Sequence, residues 1–442
     1  MSSIRRRLFV CIVVTGLATG TVAAQLLPSL PTGGLGGVGR TLDSLPALGA
    51  PLGQLLSPAQ QQAATAPSLD RVALPDAVGS LSDSSLLDLR RLRLRELVSS
   101  HRRELDVDDR GSPVRRGVLV AIDPDPASLA AAEAVGFRIS DRDTNADLGL
   151  TTVTLAIPAR LKAREALQRL HQSAPRLAAD YDHIYEPSGG ALRASAAVLA
   201  AGGSAKGPAI AMIDGGVAAH PSLARASIEQ RAFAGNAKAT GHGTAVASLL
   251  VGDQGPFRGA ATGARLFVAD IYGGSPAAGS ASAMVRALGW AASKHPSVIS
   301  ISLVGPPNRL LERAVRILGA RGIPLVAAVG NDGPAAPVQY PAAYPGVLAI
   351  TAVDSHDRAL PEAGRATRLD YAAPGADMAA ALSGNGYARV RGTSFAAPLV
   401  AARIAEAGVA HLATEVAPGH GKVGRGILCR ACRIDPKAVG VK

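Results

Sequence analysis

Five short apolar runs most constrain what this chain can fold into. Ala209–Ile213, Leu266–Ile271, Val298–Leu303, Leu325–Val329 and Val347–Val353 carry almost no polar residue. Segments of helical character, Thr244–Leu250, Ala281–Ser293 and Leu310–Ala320, fall between them. A strand with one wet face alternates apolar and polar residues. A strand that does not alternate is covered on both faces, as in a parallel sheet between two helix layers. Residues 206–428 are therefore read as an α/β domain. Hydrophobic residues make up 48% of the chain and aromatic residues only 3%, which suits a core of small aliphatics and excludes wholesale disorder.

The chain before that domain has a different texture. Val118–Ile122, Phe137–Ile139, Thr151–Ile157 and Asp182–Glu186 read as strands, and Pro126–Val135 and Arg160–Leu170 as helices. The resulting βαββαβ order is that of a small α+β ferredoxin-like unit. Leucines interleave with arginines over 84–105, which reads as a basic amphipathic helix. A charged face packed on a neighbouring domain is favoured for it over one lying on an anionic membrane. With that helix the unit spans 84–187. Residues 25–83, rich in Leu, Pro, Gly, Ala and Gln, and 188–205, rich in Gly, Ala and Ser, read as linkers, and the composition of the second favours proteolysis.

Both ends carry signals of their own. Arg5, Arg6 and Arg7 precede an apolar run that ends in Val22-Ala23-Ala24, so 1–24 reads as a secretory signal peptide of the general or twin-arginine kind. The run is shorter than a membrane-spanning helix needs, so no transmembrane anchor is expected once the signal is removed. Export, to the periplasm or beyond, follows. Residues 429–442 form a tail whose Cys429 and Cys432 are read as a local disulfide or as free thiols, two cysteines being too few for a zinc site. The net charge is +12, and nearly all of the excess follows Gly190. Without an aromatic stacking platform or a binding module, that charge is assigned to solubility or to acidic partners, and nucleic acid is not expected as a partner.

Three motifs carry the chemistry. Asp214 ends the first apolar run, Gly241-His242-Gly243-Thr244 opens a helix, and Gly392-Thr393-Ser394 opens another. Each alone is ordinary: a loop-stabilising acid, a turn, an N-cap. Together they supply a hydroxyl nucleophile, an imidazole to take its proton, and a carboxylate to orient the imidazole. A helix start at Ser394 adds N–H groups aimed at developing negative charge.

With Val326-Ala327-Ala328-Val329-Gly330-Asn331, Tyr340-Pro341-Ala342-Ala343-Tyr344-Pro345 and Ala373-Pro374-Gly375 in the same order, residues from about 205 to 428 resemble the subtilisin-like serine peptidases. The resemblance implies a three-layer domain with a central parallel sheet and a catalytic triad of Asp214, His242 and Ser394. It places the oxyanion hole at the Asn331 side chain and the Ser394 backbone. Ser302-Leu303-Val304-Gly305 and Ala328-Val329-Gly330 become the substrate-binding segments. Val304 stands where the family usually has Gly, and either narrows the pocket or turns away. No acid is evident near these segments, so small or apolar side chains are expected before the cut. Gly215 also departs from the family, which usually has Ser or Thr there. Gly252–Gly259 offers only Asp253 as an acid, so no metal is expected, and no cofactor.

The upstream unit then resembles the inhibitory propeptide of the family, cut from the enzyme somewhere between Pro187 and Lys206. The expectation is an exported serine endopeptidase made as a zymogen, with protein or peptide substrates and its own propeptide as inhibitor. The alternative is a non-catalytic peptide-binding scaffold of the same fold.

Overall fold

The computed structural model describes residues 81–188, 198–199 and 202–441. The signal peptide assigned to 1–24, nearly all of the linker 25–83 and much of the linker 188–205 lie outside the described residues.

Helix α1 (Asp83–Ser100) starts at Ser82, whose hydroxyl accepts from the Ser85 N–H. It leads into β1 (Leu105–Val107), β2 (Pro113–Ile122), α2 (Pro126–Ala134), β3 (Arg138–Asn145), β4 (Leu150–Ala156), α3 (Ala163–Ser173) and β5 (Ala179–His183). Central β2 pairs antiparallel with β1, β4 and β5, and β4 with β3. Successive β2 side chains point to opposite faces. Leu119 and Ala121 enter a core with Leu129 of α2 and Leu170 of α3. Val120 and Ile122 enter a second core shared with the downstream domain. That double burial is why β2 reads as an unbroken apolar run.

The strand expected over Asp182–Glu186 is divided. β5 ends at His183, and β6 (Glu186–Pro187) leaves this sheet to pair with the downstream domain. The cause lies at Tyr185, which is fully buried, sets its ring against Gly305 and donates from its hydroxyl to Pro306 O at 2.8 Å.

The downstream domain runs β7 (Ala209–Asp214), β8 (Ser227–Ala232), α4 (Gly241–Val251), the hairpin β9 (Asp253–Gln254) and β10 (Phe257–Arg258), β11 (Arg265–Asp270), α5 (Ala281–Ser293), β12 (Val298–Ile301), β13 (Leu303–Val304), α6 (Arg309–Ala320), β14 (Leu325–Ala328), β15 (Val347–Val353), β16 (Tyr371–Pro374), the hairpin β17 (Met378–Ala381) and β18 (Tyr387–Val390), and α7 (Thr393–Ala407). Its seven-stranded sheet has the order β16-β15-β14-β12-β7-β11-β8, with every pairing parallel. From β7, Ile210 and Met212 pack with Val246 of α4 and Phe395 of α7. Ala211 and Ile213 pack on the opposite side with Leu288 of α5 and Leu311 of α6. Three layers result, and the five apolar runs supply five of the seven strands of the middle layer. Edge strand β8 was not among those runs: Ser227-Ile228-Glu229-Gln230-Arg231-Ala232 is mostly polar, joins the sheet through β11, and bridges Gly202 at Ile228 on its other side.

Among the described residues no helix is long and apolar enough to cross a membrane, and no three His, Cys, Asp or Glu side chains gather closely enough to hold a metal. Cys429 and Cys432 form a disulfide.

Candidate active site

Asp214 is the last residue of β7, His242 the second of α4 and Ser394 the second of α7. All three are fully buried in the intact chain. Nδ1 of His242 donates to Oδ1 of Asp214 at 2.9 Å, and the Gly215 N–H donates to the same oxygen at 2.7 Å. That link fixes the imidazole tautomer, leaving Nε2 as the acceptor. Gly215, the departure from the family pattern, has a local cause. A Cβ there would lie 2.4 Å from Oγ1 of Thr240, the N-cap of α4, whose hydroxyl accepts from the Gly243 N–H. The threonine that starts the helix takes the room a side chain at 215 would need.

His242 Nε2 and Ser394 Oγ have no hydrogen-bond partner, so the carboxylate–imidazole link is closed and the imidazole–hydroxyl link is open. The two elements nevertheless meet, for the His242 ring lies 5.5 Å from the ring of Phe395, the residue after Ser394. Asn331 follows β14. Its Oδ1 accepts from the Thr393 N–H at 2.9 Å, while its Nδ2 is buried and unpartnered. Thr393 Oγ1 in turn meets the N–H and carbonyl of Gly330 at 3.1 and 3.2 Å. These bonds hold the amide of Asn331 beside the start of α7, where helical N–H groups lack intrahelical partners.

Ser302 lies on the other side of Ser394, donating from its hydroxyl to Ser394 O at 2.9 Å. β13 follows with Leu303 and Val304, then Gly305. An ideal Cβ on Gly330 would stand 3.5 Å from Val304 Cγ1 and 3.4 Å from Gln339 Cγ. The valine therefore points across the gap toward the Ala328-Val329-Gly330 wall and narrows it.

That edge is occupied by the chain itself. Leu303 pairs with Pro187 and Val304 with Glu186 in antiparallel register, and the N–H and hydroxyl of Ser188 donate to Ser302 O at 3.0 and 3.2 Å. Behind this tail, Asp182 accepts from the N–H and hydroxyl of Ser282 at the start of α5, and Asp180 accepts from the Arg309 N–H at the start of α6. His183 bridges Asp108 and Asn308. Burial, with nearby phenol and carboxylates, pushes the Tyr185 hydroxyl well above its ordinary range, so it stays a donor.

One acid was missed in the sequence. Asp332, the residue after Asn331, is nearly buried and takes Arg90 at 3.2 Å and Arg93 at 2.8 Å, both from α1. Burial opposes the Arg93 charge, but Asp332 and Glu186 outweigh it and hold the guanidinium firmly protonated. The directly readable signal was an Asn-Asp pair following a glycine at the end of an apolar run.

A parallel three-layer sheet that carries an Asp–His pair, a helix-start serine and a neighbouring amide defines a domain of the subtilisin-like serine peptidase class. Residues 205–412 match the Subtilase family model, Peptidase S8, and the chain carries a subtilase-family domain. Subtilisin Savinase of Lederbergia lenta is 35% identical over 164 residues, 36% of this chain and 60% of that protein. The major intracellular serine protease of Bacillus subtilis is 33% identical over 173 residues, 37% of this chain and 54% of that protein. The chain spans 43% to 60% of the length of the first curated relatives it matches. Fervidolysin of Fervidobacterium pennivorans, described as a keratinolytic enzyme related to subtilisin, superposes with a TM-score of 0.58 at 17% identity. The match covers 74% of this chain and 61% of that one, and is a likeness of fold.

Proposed function

We propose that the chain is a serine endopeptidase made as an exported zymogen. Ser394 attacks the peptide carbonyl, His242 takes its proton and later passes it to the leaving amine, and Asp214 stabilises the imidazolium. The tetrahedral oxyanion is received by Nδ2 of Asn331 and the Ser394 N–H. Water then releases the acyl-enzyme by the reverse proton path. The observation that carries this reading is the closed Asp214–His242 link converging with Ser394 and the unpartnered Asn331 amide.

The seated tail supports the zymogen reading. Glu186-Pro187-Ser188 adds a strand to the β13 edge as an extended substrate does. In this reading Ser188 is the residue before the cut and Ser188–Gly189 the bond for self-cleavage, within the interval expected from sequence. Ser188 is small, which suits a gap narrowed by Val304. In this reading 84–187 is the inhibitory propeptide and 1–24 the export signal.

The test is N-terminal sequencing of wild type and Ser394→Ala, with phosphonate labelling of the processed protein. A cut near Gly189 in wild type alone, and label on Ser394, are expected. Identical processing of both chains, or no label on Ser394, overturns the proposal. The alternative peptide-binding scaffold would show an unlabelled Ser394 and a precursor that stays intact.

A further inference from the structure

The tail in the groove lies between two segments of the peptidase domain. On one side Glu186 and Pro187 pair with β13. On the other, Ile184 forms an antiparallel bridge with Ser280, and the Tyr185 N–H donates to Gly279 O at 2.8 Å. In a regular antiparallel ladder two residues facing each other in this way exchange both main-chain bonds. Here the bond to Tyr185 O comes from a side chain: the Tyr272 hydroxyl donates to it at 3.0 Å. The Tyr272 ring is fully buried. An ideal Cβ on Gly279 would lie 2.3 Å from Cε1 of Tyr272 and 2.9 Å from Tyr185 O, so the glycine leaves room for the ring and the carbonyl together. The main chain of Tyr272 is fixed as well. Its N–H donates to the buried Asp270 carboxylate at 2.9 Å, and its carbonyl accepts from the Ser275 N–H at 2.9 Å. Burial, with the carboxylates of Asp214, Glu186 and Asp270, holds the phenol well above its ordinary range, so it keeps its proton to donate.

Counting back from the Ser188–Gly189 bond, Tyr185 is the fourth residue before the cut. We propose that Tyr272 is a substrate-positioning residue whose hydroxyl donates to the main-chain carbonyl of that fourth residue. This inference rests on the peptidase reading. Tyr272 belongs to the peptidase domain and stays with it when the upstream unit departs. Its acceptor is a carbonyl that every peptide carries, so the contact selects a chain that reaches this far and not a particular side chain. A slip of one residue flips an extended chain and turns that carbonyl away from the hydroxyl, so the bond also fixes register. The side chain at this place is held separately, the Tyr185 hydroxyl donating to Pro306 O, and the carbonyl contact can therefore be tested apart from it.

The experiment uses enzyme processed from the full chain, with active sites titrated by phosphonate. Wild type is set beside Tyr272→Phe, which keeps the ring next to Gly279 and removes only the hydroxyl. Three thiobenzyl esters are compared by kcat/KM. Acetyl-Ala-Pro-Ser places the acetyl carbonyl where the fourth residue's carbonyl lies. Thioacetyl-Ala-Pro-Ser has sulfur, a poorer acceptor, in place of that oxygen. Propionyl-Pro-Ser keeps the carbon skeleton of the third residue and ends before the carbonyl. Tyr272→Phe should lower kcat/KM about fivefold for the acetyl ester, the worth of one neutral hydrogen bond, and leave the propionyl ester unchanged. Wild type should prefer the acetyl over the thioacetyl ester by a similar factor, and Tyr272→Phe should lose most of that preference. A loss shared equally by the acetyl and propionyl esters overturns the proposal, because it marks the tyrosine as a support of the groove wall. So does an acetyl rate that the substitution leaves unchanged. If Tyr272→Phe fails to fold, wild type decides alone, and equal rates on the acetyl and thioacetyl esters overturn the contact. Failure to cut any of the three esters refutes the peptidase reading, whereas rates indifferent to Tyr272 refute this inference only.

Discussion

Replacing Asp182 with alanine should loosen the grip of the upstream unit on the peptidase domain by about 100-fold. Asp182 is fully buried. One oxygen accepts from the Ser282 N–H at 2.9 Å, and the other from the Ser282 hydroxyl at 2.7 Å and from Arg115 at 3.2 Å. Arg115 lies in β2 of the same upstream unit, so only the two bonds to Ser282 are lost between the units. Ser282 is the second residue of α5, and its N–H has no partner inside the helix. A hydrogen bond to a charged group contributes about 1.5–3 kcal/mol, and a negative charge at a partly buried helix N-terminus up to ~2 kcal/mol. These overlap, since the same carboxylate makes both, so about 3 kcal/mol is the joint loss. At about 1.4 kcal/mol per decade this gives two decades. Asp182→Asn keeps a neutral acceptor and should cost about one decade.

The assay is dilution of the self-processed complex with a fluorogenic peptide present. Activity appears as the cleaved propeptide dissociates, and the concentration at half-recovery reports its affinity. Asp182→Ala should shift that midpoint about 100-fold upward, and less in a Ser282→Ala background, where the hydroxyl bond is already missing. Asp180 and the Asn308 bond to Tyr181 O remain in place, so docking geometry is retained. A midpoint unchanged within about threefold would refute the claim that this buried cap holds the two units together.

Three further outcomes are expected. Asn331→Ala should lower kcat by about 10²–10³ with little change in KM, since its amide acts on the oxyanion and not on the bound ground state; steady-state kinetics separates the two. Val304→Gly should remove the side chain that reaches toward Gly330 and raise the ratio of Phe to Ala accepted before the cut by about tenfold, read on matched fluorogenic peptides. Asp108 is held below the ordinary carboxylate range: burial alone would raise it, but bonds from His183 and from the Ser112 and Arg110 N–H groups outweigh burial. Its folded pKa lies below the unfolded one, so its stabilisation is full above about pH 4 and is lost as pH falls through the folded value. Thermal unfolding should therefore show wild type losing more Tm between pH 7 and pH 3 than Asp108→Asn does.

What the sequence disclosed and what it concealed divide along one physical line. The parallel sheet was legible because burial on both faces writes itself into each strand locally, as in Ala209–Ile213 and Val347–Val353. Asp214, His242 and Ser394 were legible because strand ends and helix starts flanked by glycine leave a local signature. β8 was hidden, since an edge strand such as Ser227–Ala232 has one full strand neighbour, β11, and needs little apolar surface. The break between β5 and β6 was hidden because the strand pattern of 182–186 is continuous, while the cause of the break, the ring of Tyr185 against Gly305, joins residues far apart in the chain. Gly215 looked like a departure from the family and is a consequence of Thr240, the cap of a later helix. Asp332 is the sharpest case. It sits one residue from Asn331 at the end of an apolar run, which marks its position but not its pairing, because its partners come from α1, with Arg93 239 positions away. Local chemistry fixes where a reaction can occur. Pairings between distant parts of the chain are made by the fold, so an acid beside Asn331 acquires meaning only when two arginines from an upstream helix are found holding it.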